Sequence, residues 1–121
     1  MRDQKKIKIH ETFGYAFNGI KALFEREWKF TLYSMVSIIL IFLMIILKFT
    51  LIDAIIVIIM IGFVFACEAL NTLVEIIFDE LKPEYSSKIQ KIKDASAAFV
   101  LISVITAIIV GVLIFWPYFN S

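Results

Sequence analysis

The sequence is poor in charge and in the residues that break helices or cross-link chains. Of its 121 residues only 19% are charged, four are glycine, two are proline and one is cysteine. A lone Cys67 cannot form a disulfide within the chain, and no spacing of cysteine and histidine indicates a zinc site. The four glycines do not form a G-x-x-x-x-G-K-[ST] loop, which argues against a P-loop enzyme.

The sequence is rich in residues with apolar side chains. Hydrophobic residues make up 61% of the chain and the mean hydropathy is +0.91, whereas soluble chains have roughly 45–50% apolar residues. A water-soluble domain of this size has too much surface to hide so many apolar groups. The composition argues against a soluble enzyme, a nucleic-acid-binding domain and a disordered segment. It predicts an integral membrane protein with a single domain over residues 1–121.

Three apolar runs are long enough to cross a membrane, and we predict spans at about 30–48, 54–78 and 96–118. A helix needs about 20 mostly apolar residues to cross the hydrocarbon core. Backbone polar groups in lipid must be paired within their own segment, which favours helices over irregular chain. The predicted fold class is therefore an all-α membrane protein.

The segment 1–29 predicts a helix that lies on the membrane surface. Its apolar residues recur at helical spacing on one face, and they are Phe13, Phe17, Ile20 and Phe24. The opposite face is charged and the segment is too short to span, so the aromatic face is expected to enter the interface. A simple amphipathic anchor is the alternative interpretation.

The basic residues outside the spans predict the orientation. Seven precede the first span, one lies in the 48–53 turn and four lie in the 79–94 connection. In chain order they are Arg2, Lys5, Lys6, Lys8, Lys21, Arg26 and Lys29, then Lys48, then Lys82, Lys88, Lys91 and Lys93. Because cytoplasmic segments carry the excess of lysine and arginine, the N-terminus and the 79–94 loop are predicted to be cytoplasmic.

One face of the second span carries polar residues that do not belong in lipid. They follow at i, i+3, i+4, i+7 and i+11, and they are Glu68, Asn71, Thr72, Glu75 and Asp79. A carboxylate at such depth must be protonated, partnered or hydrated. Hydrogen bonds between helices are an adequate explanation for the amide and the hydroxyl. For the carboxylates we expect a function, such as a general base that takes the proton of an alcohol.

The carboxylates near the cytoplasmic end of this stripe predict a magnesium site. Mg²⁺ binds few carboxylates and keeps phosphate oxygens as partners, and Glu27, at the start of the first span, is the candidate third carboxylate. Lys93 and Asp94 follow at the mouth of the third span. Lys93 can meet a phosphate, while Asp94 can orient that lysine or cap the helix. The small residues at 96–98 permit close approach of another helix or a ligand.

Taken together, Glu68 to Asp79, the Pro83-Glu84-Tyr85 loop and Lys93-Asp94 resemble the prokaryotic diacylglycerol kinase family. The family pattern is E-x-x-N-x-x-x-E-x-x-x-D, then a loop containing E-Y, then K-D. The segment 13–20 is similar to the surface helix of that family, and Glu27 falls at its acidic residue. The resemblance covers essentially the whole chain.

The resemblance implies a small bacterial inner-membrane kinase that phosphorylates a lipid alcohol with ATP and Mg²⁺, as a homotrimer with three spans per subunit. It implies Glu68 as the catalytic base, with Asn71 supporting it, and Glu27 and Glu75 as magnesium ligands. It also implies that Lys93 contacts the transferring phosphate with Asp94 beside it. The residues implied to border the nucleotide are Lys8, Tyr15, Glu84, Tyr85 and Ser86.

The lipid substrate divides this family. Gram-positive members, many of them undecaprenol kinases, usually follow the acidic residue with R-N-M-R-I-H, whereas Glu27 here precedes W-K-F-T-L-Y. Phe30, the turn that begins at Asp53 and the ending at 116–119 are more similar to Gram-negative diacylglycerol kinases. We therefore expect diacylglycerol, with undecaprenol as the alternative. Three residues match neither branch, and they are Lys29, Thr31 and Tyr33.

Two other classes would use the same buried carboxylates. One is a non-catalytic membrane subunit in which the acidic stripe only holds an oligomer together. The other is an ion or proton path, which has no obvious need for Glu27 or for Lys93-Asp94.

Overall fold

The computed structural model describes residues 8–82 and 84–120, and within those ranges the chain forms four helices and no strand. They are α1 (Ile9–Arg26), α2 (Trp28–Ile46), α3 (Leu51–Leu81) and α4 (Ser87–Phe119). The last three are each long and apolar enough to cross a membrane, so the predicted all-α membrane fold is confirmed. Four residues used in the predictions lie outside the described ranges, namely Arg2, Lys5, Lys6 and Pro83.

A single residue, Glu27, separates α1 from α2. Its backbone is extended, with φ −123° and ψ 112°. The Glu27 N–H donates to the carbonyl of Leu23 at 2.9 Å and closes α1. Its carboxylate then accepts the backbone N–H of Lys29 at 3.5 Å and caps α2. The surface segment and the first span therefore meet at an acidic cap.

Apart from its last turn, the apolar face of α1 is not covered by the other residues that the structure describes. None of the residues of α1, all of which are described, is buried, and the rings of Phe13 and Phe17 are 61% and 69% exposed. Only the last turn is anchored, because the Phe24 ring lies 5.4 Å from that of Phe30. This arrangement fits a helix that turns its aromatic face to the membrane interface.

Helices α3 and α4 run antiparallel and pack along their length. Three side-chain pairs show the direction, since partners later in α3 meet partners earlier in α4: Asp53 with Tyr118, Asn71 with Ser96, and Asp79 with Lys93. Helix α2 contacts α3 through Phe65, whose ring lies 6.0 Å from those of Phe30 and Tyr33. An apolar groove of about 540 Å³ opens further along, between α2, α3 and α4.

The turn between α2 and α3 is tied to the end of α4. Lys48 takes the left-handed conformation, with φ 55°, that reverses the chain after α2. The Tyr118 hydroxyl donates to Asp53 Oδ2 at 2.6 Å and accepts the N–H of Thr50 at 3.0 Å. Its ring stacks on Phe49 with centroids 4.1 Å apart. One tyrosine therefore connects the start of α3 to the last turn of α4.

The helices extend further into the predicted 79–94 loop than expected. α3 continues to Leu81 and α4 begins at Ser87, which leaves residues 82–86 as the connection. The backbone hydrogen bonds of a helix form within the helix itself, so a helix does not have to end where it leaves the membrane. Asp94 consequently lies two turns inside α4, and its expected role as a helix cap is wrong because Ser86 occupies the cap position.

We predict that Tyr118→Phe lowers the free energy of unfolding by about 0.5–1.5 kcal/mol, since the half-buried carboxylate of Asp53 loses a hydrogen bond. Thermal unfolding in detergent micelles measures the change. Tyr85→Phe is the matched control, because the Tyr85 side chain is exposed. Equal midpoints for the two variants would show that the hydroxyl of Tyr118 does not hold the turn between α2 and α3.

Candidate active site

The deepest part of the site is a row of three side chains on one face of α3. The Asn71 amide nitrogen lies between two carboxylates, 3.5 Å from Glu68 Oε2 and 3.3 Å from Glu75 Oε1. Glu68 is 0% exposed and Asn71 is 3% exposed, whereas Glu75 is half-buried. The i, i+3, i+7 spacing predicted from the sequence therefore produces a connected group rather than a set of separate charges.

A serine on α4 sets the orientation of the Asn71 amide. The Ser96 hydroxyl donates to Asn71 Oδ1 at 3.0 Å, and Ser96 is buried. With its oxygen engaged by α4, the amide turns its NH₂ group toward Glu68 and Glu75. The small residue at 96 allows this close approach, as expected of the segment 96–98. Thr72, by contrast, is buried with no hydrogen-bond partner for its hydroxyl among the residues that the structure describes.

Lys29 is a member of the site that the sequence did not indicate. Its ammonium lies 3.4 Å from Glu68 Oε1, and its side chain is 36% exposed. In the sequence Lys29 counted toward the basic character of the N-terminal segment and as a residue that matches neither lipid branch of the family. The available signal was a lysine in the first turn of a span, where a long stem can reach inward while its charge stays near the interface.

Glu27 and Glu75 supply oxygen donors near this row. Glu27 is half-buried at the cap of α2, where its carboxylate accepts the backbone N–H of Lys29. The Lys29 ammonium contacts Glu68, and the Asn71 amide lies between Glu68 and Glu75. Among the described residues no three histidine, cysteine, aspartate or glutamate side chains come close enough to hold a metal ion. Two carboxylates with phosphate oxygens still fit a hard cation such as Mg²⁺, which keeps few protein ligands.

Toward the connection between α3 and α4, charged side chains converge on Asp79. The Lys93 ammonium lies 2.6 Å from Asp79 Oδ1, and an Arg26 nitrogen lies 3.8 Å from Asp79 Oδ2. Asp94 does not join them, because its carboxylate accepts the amide of Gln90 at 2.9 Å. The predicted Lys93-Asp94 pair is thus separated: Lys93 faces α3, and Asp94 engages a neighbour on its own helix.

A small polar recess of about 150 Å³ opens beside this ion pair. It brings together several residues implied as nucleotide contacts, and its lining is Asp79, Lys82, Glu84, Tyr85, Ser86, Ile89, Gln90 and Lys93. Lys8 at the N-cap of α1 and Tyr15 within α1 are exposed and are not part of this lining. Ligand sites are usually about 300–1,000 Å³, so this recess alone is too small to enclose a ligand of that class.

The fold and the site together define a small membrane protein with one buried carboxylate, on Glu68, and a cluster of charged side chains of both signs at one end of its spans. The family model described as prokaryotic diacylglycerol kinase matches residues 14–115, and the chain belongs to that family. It is 26% identical over 113 residues to the diacylglycerol kinases of Escherichia coli K12 and Shigella flexneri, covering 93% of each chain. The predicted family is therefore confirmed.

Ser96→Ala tests whether α4 orients Asn71. We expect a loss of about 1–3 kcal/mol in the free energy of unfolding, because Asn71 Oδ1 stays buried without a donor. Ser37→Ala is the control, since the Ser37 hydroxyl donates only to the backbone of its own helix. Thermal midpoints in detergent measure both, and a drop no larger for Ser96→Ala than for Ser37→Ala would contradict the assignment.

Proposed function

We propose that the chain transfers the γ-phosphoryl group of ATP to 1,2-diacylglycerol and so produces phosphatidic acid. The observation that carries this proposal is the wholly buried carboxylate of Glu68, held among polar partners in a membrane-spanning helix. Membership of the prokaryotic diacylglycerol kinase family supports the reaction class. The relatives named diacylglycerol kinase support the choice of lipid.

Glu68 is the general base in this proposal. As the lipid hydroxyl oxygen attacks the γ-phosphorus, its proton passes to the Glu68 carboxylate and the new O–P bond forms. The bond from the γ-phosphorus to the bridging oxygen breaks, and ADP leaves with that electron pair. Asn71 holds the carboxylate at Oε2 during this step. Phosphoryl transfer needs mainly positioning and neutralisation of charge, so no P-loop is required.

Lys93 meets the transferring phosphate in this proposal, and Asp94 follows it on α4 with its carboxylate held by Gln90. The present partner of Lys93 is Asp79, at 2.6 Å. A nucleotide phosphate would take the place of that carboxylate as the acceptor. Glu84, Tyr85 and Ser86 border the nucleotide at the recess, and Lys8 before α1 and Tyr15 within it complete this border in the proposal.

Glu27 and Glu75 hold the metal ion. When bound, Mg²⁺ neutralises the charge that develops on the phosphate oxygens. Both side chains are half-buried, and Glu75 already accepts a hydrogen bond from Asn71 at 3.3 Å. That hydrogen bond keeps one ligand of the cation in a fixed relation to the base.

The assembly we propose is a homotrimer in the bacterial inner membrane, with the N-terminus and the 79–94 segment on the cytoplasmic side. The distribution of lysine and arginine supports this orientation. A recess of about 150 Å³ is too small for ATP, which favours a nucleotide site completed by a neighbouring subunit.

A radiolabelled-ATP assay in mixed micelles, with diacylglycerol and undecaprenol offered side by side, tests the substrate. We expect label in phosphatidic acid at a rate at least tenfold above that of undecaprenyl phosphate. A preference for undecaprenol would change the substrate and leave the kinase intact. No label in either lipid would favour the non-catalytic subunit.

We expect Glu68→Gln to lower kcat by about 10²–10⁴-fold, because the amide cannot take the hydroxyl proton. Glu25→Gln on exposed α1 is the matched control and should keep wild-type activity. Size-exclusion chromatography checks that the assembly persists. If Glu68→Gln keeps its activity, Glu68 is not the base, and if it only dissociates, the acidic stripe is structural.

A further inference from the structure

The ammonium of Lys29 faces the buried carboxylate of Glu68, and no step of the proposed reaction uses it. The two groups are 3.4 Å apart, and among the described residues Lys29 is the one cation within 4.0 Å of Glu68. The pair joins α2 to α3 across 39 positions of sequence. The other polar groups around Glu68 are Asn71 on α3 and Ser96 on α4, so Lys29 is the residue within α2 that contacts Glu68.

The backbone of Lys29 is held on both sides. Before it, the Glu27 carboxylate caps the helix by accepting the Lys29 N–H. After it, Phe30 is 3% exposed, with its ring between those of Phe24 and Phe65. The lysine stem therefore starts from a fixed point, and its contact with Glu68 is a consequence of how α2 docks on α3.

The two oxygens of Glu68 have different surroundings. Oε2 is the acceptor for Asn71, at 3.5 Å. Oε1 is buried and accepts no hydrogen bond from the residues that the structure describes, so the ion pair with Lys29 is its polar contact. A carboxylate removed from water needs a nearby opposite charge to remain in place as a carboxylate.

We propose that Lys29 is a positioning residue that provides the counter-charge for Glu68 and fixes which way its carboxylate points. This inference rests on the proposed function, because it assigns Glu68 the role of base. Lys29 holds Oε1 toward α2, so Oε2 is the oxygen that meets the lipid hydroxyl. Lys29 itself gains and loses no proton and touches neither substrate.

Steady-state kinetics of Lys29→Met and Lys29→Arg in mixed micelles with diacylglycerol test this role. We expect Lys29→Met to lower kcat by about 100-fold, the scale of a misplaced catalytic group. The KM values for ATP and lipid should change by less than about 3-fold, since Lys29 contacts neither substrate and its loss removes no binding contact. Lys29→Arg keeps the positive charge, so its kcat should be at least about tenfold higher than that of Lys29→Met.

Lys21→Met is the control for removing a positive charge, because Lys21 lies on exposed α1. It should leave kcat unchanged. A raised KM for ATP with unchanged kcat in Lys29→Met would make Lys29 a phosphate ligand and overturn the proposal, as would full activity. An inactive wild-type protein would refute the proposed function instead.

Thermal unfolding supplies a readout that does not depend on activity. Lys29→Met should lower the midpoint clearly in the wild-type background and much less in the Glu68→Gln background, because the second background buries no charge that needs a partner. If Lys29→Met alone does not fold, the double variant with Glu68→Gln should recover folded protein. Additive midpoint shifts, or a double variant that also fails to fold, would overturn the pairing.

Discussion

The structure depends on one requirement: a carboxylate taken entirely out of water must have polar partners on the elements that surround it. Glu68 is 0% exposed on a helix that crosses the membrane. Lys29 contacts it from α2, Asn71 contacts it from α3, and Ser96 reaches it through Asn71 from α4. Because each partner comes from a different helix, satisfying this one group also sets the relative positions of three spans that lipid alone would hold loosely.

Charged groups need protein partners less where the helices leave the lipid, and the contacts there are ion pairs near the surface. Arg26, Lys93 and Asp79 pair at exposed or half-exposed positions, where each ion pair contributes little to stability. These contacts connect α1 and α4 to the end of α3 without rigidity. The inner part of the site is therefore fixed by burial, whereas the outer part can exchange partners.

The sequence predicted what depends on spacing along one helix and missed what depends on packing between helices. Three spans followed from apolar runs, and the Glu68–Asn71–Glu75 row followed from the helical repeat. The contact between Lys29 and Glu68 could not be predicted, because it depends on the docking of α2 through Phe30 and Phe65. The predicted third span began at about residue 96, because the charged segment 87–94 ends the apolar run, whereas α4 already begins at Ser87. Asp94 was consequently given a role at a helix end that lies two turns away.

Because α3 and α4 pack antiparallel, the Lys93 ammonium can reach more than one level along α3. Since Ser96 lies opposite Asn71, the backbone of Lys93, three residues earlier, is level with the turn of α3 that carries Glu75. The Lys93 ammonium nevertheless ends at Asp79, about 6 Å further toward the helix end along α3. A rotation of the stem can carry that positive charge inward by more than a helical turn while the backbone stays still. The Glu68 side chain, enclosed by partners from three helices, has no such freedom, so the site combines a fixed acidic side chain at depth with a lysine side chain that can change its position.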